Sequence, residues 1–193
     1  LGIRFEIKSD RNWSDYVDMA MRREIDMLSC IVETPGRTGK LAFTKPYISM
    51  PLVILTRTAV PYVAGLKELE GKKVAVVKGS AVQEWLAEDF PGIELVPSAS
   101  VEDMFRLLEK GLVYACIDSL PTAGYYLGKP EHSAIKVSGQ TPYVYKISMA
   151  VRGDYQPLAK ILQKAFDAIP PGQRAEDQRK WMAVAQEPVP DYG

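Results

Sequence analysis

Histidine is almost missing from this chain of 193 residues, and cysteine is nearly so. The single histidine, His132, follows Pro130 and Glu131 in an expected loop, which excludes a histidine-based catalytic triad and any metal site built from several histidines. Cys30 and Cys116 lie far apart, each in an apolar run, so neither a disulfide framework nor a zinc motif is legible, and two buried free thiols are expected. Neither charge is in excess: 24 basic residues balance 24 acidic ones, and no basic run marks nucleic acid or an anionic membrane as a partner. No apolar run is long enough to span a bilayer. The opening LGIRFEIKSD carries charges where the apolar stretch of a signal peptide would lie, and it reads as a strand already in progress inside a domain.

What the chain does have is 47% apolar residues, enough at this length for one large α/β domain or two small lobes. Ile3 to Ile7 alternate apolar and charged residues, as a half-buried strand does. After Asn12, read as an N-cap, Trp13, Tyr16, Val17, Ala20 and Met21 fall on one helical face, and Ile25 to Val32 reads as a buried strand. Strand, helix, strand predicts a right-handed crossover. A β-branched stretch from Pro51 to Thr56 leads into repeated strand-helix units. Val74 to Val77 precedes a helix opened by Ser80 with Gln83 as its capping box, and Ile93 to Val96 precedes one capped by Ser100 and Asp103 and stopped at Gly111. Leu112 to Ile117 precedes a tyrosine-bearing helix, and Ile135 to Val137 closes the series. This repetition predicts a doubly wound lobe. A last crossing, Lys146 to Val151, leads to a helix capped by Asp154, with Leu158, Ile161, Leu162, Ala165, Phe166 and Ile169 as its buried stripe. A polar helix then runs through Trp181 into a linker-like EPVPDYG.

Ligands of open α/β sheets sit beyond the carboxyl ends of the strands, which directs attention to Ser29 to Arg37, Gly79 to Ala81, and Asp118 with Ser119. The Lys78-Gly79-Ser80-Ala81 turn offers backbone N–H groups and a hydroxyl at a helix N-terminus, suited to a carboxylate or phosphate, or to nothing beyond a capped helix. Arg37, in a Thr-Pro-Gly-Arg turn, has the fork to grip a carboxylate, though an isolated turn arginine is also an ordinary solvated residue.

The stretch Thr34-Pro35-Gly36-Arg37 followed by Phe43-Thr44-Lys45-Pro46-Tyr47 resembles the T-x-x-R and F-[ST]-x-P-Y segment of bacterial extracellular solute-binding proteins of the polar amino-acid class. Leu69-Glu70-Gly71-Lys72-Lys73-Val74-Ala75-Val76 is similar to that family's L-x-G-K-x-V-A-V. The resemblance implies an α/β, two-lobed periplasmic-binding-protein (Venus flytrap) fold with two crossing strands and a ligand held between the lobes. Lobe 1 is then residues 1–48 with 148–193, and lobe 2 is 49–147. The crossings fall near residues 47–51 and 146–150, with no single sheet running through both halves. It also implies that lobe 1 lacks its N-terminal strand and helix, with their ligand-stacking aromatic residue, in this chain. Arg37 is implied to grip the ligand carboxylate, aided by Ser80 and the Ala81 amide. Two positions depart from the pattern. Cys30-Ile31-Val32 replaces Gly-x-Thr, so Val32 supplies no hydroxyl, and Ser119 stands where an aspartate pairs with an α-ammonium, with Asp118 one place earlier. Either Ser119 caps the next helix and Asp118 faces the cleft, or Ser119 itself is the cleft residue. A carboxylate ligand without the ammonium is a live option.

FTKPYISMPLVILTRT, VAVVKGSAVQEWL, DFPGIELV and Arg179-Lys180-Trp181 look most like the Venus-flytrap sensor domains of transmembrane histidine kinases. That likeness implies a periplasmic ectodomain of an inner-membrane protein, binding a small carboxylate or amino-acid-like ligand. Membrane and kinase segments follow in the same polypeptide, with room for a homodimer, and there is no metal, cofactor or chemistry. The rivals are a receptor of an amino-acid ABC transporter and a dehydratase using Asp118 or Glu33. In this reading Arg37→Ala weakens ligand binding and leaves folding nearly untouched.

Overall fold

The computed structural model describes residues 4–182, with side chains up to residue 180. Its centre is one hydrogen-bonded sheet of seven strands. In chain order these are β1 (Met27–Val32), β2 (Leu41–Phe43), β3 (Ile48–Arg57), β4 (Lys73–Val77), β5 (Glu94–Ser98), β6 (Ala115–Ser119) and β7 (Ile135–Arg152). The order across the sheet is β1-β7-β3-β6-β4-β5, with β2 also paired to β7. The helices are α1 (Trp13–Met21), α2 (Ala81–Asp89), α3 (Val101–Glu109), α4 (Leu120–Leu127), α5 (Gln156–Asp167) and α6 (Pro171–Met182).

The repeated strand-helix region forms as its local signals require. β4 pairs in parallel with both β5 and β6. Its apolar strands are continuous because both faces are covered. Leu52 and Ile54, Val74 and Val76, and Ala115 and Ile117 meet Val82 and Leu86 of α2 on one face. The residues between them, Val53 and Leu55, Ala75 and Cys116, meet Met104, Phe105 and Leu108 of α3 on the other. The first region is thinner: Val17 and Ala20 of α1 cover Leu28, Ile31, Leu41 and Ala150.

Several sequence expectations are corrected. Arg4 to Ser9 are exposed and form no strand, because alternation selects a face but does not supply a pairing partner, so the expected strand-helix-strand crossover does not form. The expected separate strands at 135–137 and 146–151 are one 18-residue strand, β7. Antiparallel β3 stays paired with it from Arg57 opposite Ile135 to Ile48 opposite Ile147, through irregularities at Pro51/Val53 and Ile54/Leu55. For the same reason the sheet is continuous through both crossings, not divided into two. Gly139 permits this path: a Cβ there would lie 2.0 Å from the Val63 carbonyl oxygen. Asp154 does not cap α5, because Arg152 takes its carboxylate at 2.8 and 2.9 Å, and α5 buries Ala159 and Leu162 while Ile161 is exposed. Finally, Cys116 is buried as expected, but Cys30 is exposed; both are free thiols. The tail EPVPDYG lies outside the described residues. No helix among the described residues is long and apolar enough to cross a membrane.

Candidate functional site

The turn after β4 is where Trp13 of α1 and Arg37 of the turn after β1 reach the start of α2. Gly79 has φ +72°, a left-handed conformation that favours glycine, and it lies in van der Waals reach of Ser14. Ser80 then caps α2: its Oγ accepts from the Gln83 N–H at 3.4 Å, and Gln83 Oε1 accepts from the Gly79 N–H at 2.7 Å. This is the reciprocal box expected from sequence. The Gly79 carbonyl accepts Trp13 Nε1–H at 3.1 Å and Arg37 Nη2–H at 2.7 Å.

Arg37 is 2% exposed. The turn that follows β1 closes through the Arg37 N–H on the Thr34 carbonyl at 3.0 Å and aims the guanidinium inward. Nη1 donates to the Val32 carbonyl at 2.6 Å, and Nη2 also pairs with Glu84 of α2 at 3.4 Å. Burial works against its charge, and Glu84 and then Tyr145 offset part of that. Nε of Arg37 and Oγ1 of Thr34 are buried without a partner among the described residues. The expectation that removing this arginine leaves folding untouched is therefore corrected: it cross-links β1 to the Gly79 turn, and deletion strips buried carbonyls of a donor.

Val32 and Ala81 pack together with Ile147 in one small cluster, flanked by Tyr145 and Trp85. Ser119 caps α4, accepting the Thr122 N–H at 3.3 Å, so of the two readings left open the capping one is what its hydroxyl does. Asp118 is buried at the end of β6 and accepts the Ser119 N–H at 2.5 Å. Burial pushes its carboxyl up to about 6, against the opposing pull of that N–H and the Thr122 and Ser119 hydroxyls. Cys30 stands apart, exposed on β1 beside Tyr47.

Tyr145, Trp13 and Glu84 were not identified from sequence as site residues. Tyr145 lies on β7 opposite Met50, with its ring centroid 5.8 Å from that of Trp85. Its phenol is held above the ordinary value by burial and then by the Asp118 carboxylate. The Ser80 hydroxyl, the Val82 N–H and Arg37 pull the other way. The only sequence signal was the alternation Tyr143, Tyr145, Ile147 along one face. A cavity of about 420 Å³ opens alongside, lined by Val32, Glu33, Pro46, Trp85, Val144, Lys146 and Ser148; none of Arg37, Ser80, Asp118 or Tyr145 lines it.

Residues 1–184 match the family of bacterial extracellular solute-binding proteins, family 3. The chain belongs to that family. It is similar to the virulence sensor protein BvgS of Bordetella bronchiseptica, 22% identical over 188 residues, which is 97% of this chain and 15% of that protein. It thus spans about a seventh of that relative's length. Among solved structures, a histidine kinase sensor domain with similarity to periplasmic binding proteins superposes with TM-score 0.82 at 24% identity, covering 90% of this chain and 76% of that one. The substrate-binding protein of an amino acid ABC transporter superposes with TM-score 0.81 at 21% identity, covering 93% and 80%. The fold is the α/β periplasmic-binding-protein fold.

Proposed function

We propose that this chain is the ligand-sensing portion of a membrane-bound, periplasmic sensor histidine kinase, and that its cleft binds a small carboxylate-bearing metabolite. The observation that carries the reading is the meeting of Arg37 with the Ser80-capped N-terminus of α2. Two anion-favouring elements, drawn from residues on opposite sides of the crossing strands, converge on one turn. Lobe 1 is residues 1–48 and 148–193, lobe 2 is residues 49–147, and ligand-dependent change in their geometry is the signal passed to the following segments. Arg37, with a donor still unpartnered at Nε, is the anchor, and Ser80 and the Ala81 amide assist it. Val32 offers no hydroxyl and Asp118 is close to neutral at mildly acid pH, which favours a carboxylate whose ammonium is absent or unimportant. A second reading, delivery of a solute to a permease, draws on the fold shared with the transporter protein above. In either role the domain binds and releases its ligand unchanged.

Native mass spectrometry of protein purified without refolding identifies the co-purified acid, and calorimetry then measures it against Arg37→Ala. Truncating one partner of a desolvated charge pair costs about 2–5 kcal/mol, so affinity falls by roughly thirty-fold to several thousand-fold. Arg37→Lys recovers part of it. Unchanged affinity in Arg37→Ala removes the arginine from the site.

A further inference from the structure

We propose that the cavity of about 420 Å³ is a second ligand site, separate from Arg37, and that it takes a small zwitterion with an apolar body: an ammonium at Glu33, a carboxylate at Lys146 and the body against Trp85. The inference does not depend on Arg37 being a ligand anchor, since Arg37 does not line this cavity.

Separate stretches of chain converge on it. β1 ends at Val32 and Glu33 follows; Pro46 lies just before β3; Trp85 is in α2; and Val144, Lys146 and Ser148 alternate along one face of β7. Register places the two polar residues of β7: Lys146 stands opposite Ser49 of β3, and Ser148 opposite Ile31 of β1. Trp85 is braced by Tyr143 and Tyr145, whose ring centroids lie 5.2 and 5.8 Å from its own, so it forms a fixed wall.

The lining points to a ligand. The volume falls in the range of small-molecule sites, about 300–1,000 Å³. Ser148 is 1% exposed, and its hydroxyl makes no hydrogen bond among the described residues, where a buried hydroxyl ordinarily makes one. Glu33 and Lys146 line the same cavity, yet no ion pair joins them, and neither has another ion-pair partner among the described residues. Opposite charges held apart across an apolar lining of Val32, Pro46, Trp85 and Val144 favour one kind of guest. A lone anion gains at Lys146 and is repelled at Glu33; a lone cation meets the reverse; an uncharged body answers neither. A zwitterion meets both. Ser148 shares the lysine's face of β7, and its hydroxyl is the donor available to the same carboxylate. A guest seated here bridges α2 to the end of β1 across β7.

The test measures binding to this chain by calorimetry and by tryptophan emission, since Trp85 lines the cavity. The probes are leucine and phenylalanine, which carry both charges and an apolar body; isocaproate, which is leucine without its ammonium; isoamylamine, which is leucine without its carboxylate; and glycine, which has both charges and no body. The expected result is that leucine binds about tenfold or more tightly than isocaproate, isoamylamine and glycine. Glu33→Gln and Lys146→Gln each weaken leucine about tenfold. Each also levels one comparison: Glu33→Gln binds isocaproate as well as leucine, and Lys146→Gln does so for isoamylamine. Trp85→Phe removes the emission change. Glu33 and Lys146 are exposed, so both charge variants should fold, and thermal melts verify it. Leucine affinity unchanged in both charge variants overturns the second site. If that binding is lost in Arg37→Lys instead, the probe sits at Arg37, and the proposed function stands without this site. Failure of wild type to bind either leucine or phenylalanine overturns the second site as well, and leaves the Arg37 reading to its own test with the co-purified acid.

Discussion

The strand-helix region from β3 to β6 and the region around β1, β2, α1 and α5 are unequal partners. Of the twelve largest fully buried side chains, all but Ile31 lie between residues 52 and 117, so one region has a core of its own and the other leans on it. β4 of the first region has helices on both faces; β1 is an edge strand with Ser29 and Cys30 exposed. The long strands β3 and β7 belong to both regions, and through them the thin region shares the sheet of the thick one. In the proposed clamp, the thick region presents the helix N-terminus at Ser80 and the thin region presents Arg37.

The sharpest test of that inequality is a matched pair of core truncations. Phe105 is fully buried, stacked on Tyr126 with ring centroids 4.7 Å apart and tilted against His132 at 5.0 Å. Phe105→Ala should cost about 3–5 kcal/mol, whereas Leu28→Ala, in the small cluster beneath α1, should fall near 2 kcal/mol, the low end for such a change. Urea unfolding of both variants decides it, and equal losses break the comparison.

The thick region was also the legible one. Each of its strand-helix pairs is a local unit whose signals are neighbours: Ser80 with Gln83, Ser100 with Asp103, and Gly111, at φ +69°, just after α3. What escaped sequence reading depends on distant partners. The unity of β7 was hidden because Gly139 to Pro142 reads as a break, and only β3, some eighty residues earlier, holds it together. Arg37 had the right chemistry for an anchor, but its burial follows from Gly79, 42 residues away. Tyr145 carried no motif at all; its place is defined by α2 and Asp118.

Asp118 offers a second, pH-dependent test at the junction of the two regions. Its carboxyl releases a proton at about 6 in the folded protein and near 3.8 when unfolded, so the folded state holds the proton over that window. Stability from this group is therefore fully present below the unfolded value and is lost as pH rises through about 6. The gap amounts to about 3 kcal/mol at about 1.4 kcal/mol per pH unit. Asp118→Asn keeps an acceptor for the Ser119 N–H and cannot ionise. The variant should be more stable than wild type by about that amount at pH 8 and little different at pH 4. A difference independent of pH, measured by urea unfolding at both values, breaks the assignment.

The smallest expected effect is kinetic and compares the regions through their two thiols. Cys116 lies fully buried on β6 between the helical layers, and burial raises its thiol well above the ordinary value. Cys30, on the edge strand, is exposed as a residue, yet shelter around its sulfur also raises its value, with the Tyr47 hydroxyl opposing. Because the thiolate is the reactive species, Cys30 should react with a disulfide reagent more slowly than an unhindered thiol at pH 8, and faster as pH climbs past 9. Cys116 should wait for the sheet to open, so its rate should rise with urea in step with unfolding of the thick region. Denatured, non-reduced protein should titrate two thiols. Finding none would mean that a bridge joins β1 to β6. Equal native rates for both thiols would mean that the two regions open together, which would count against the independent motion that the proposed clamp requires.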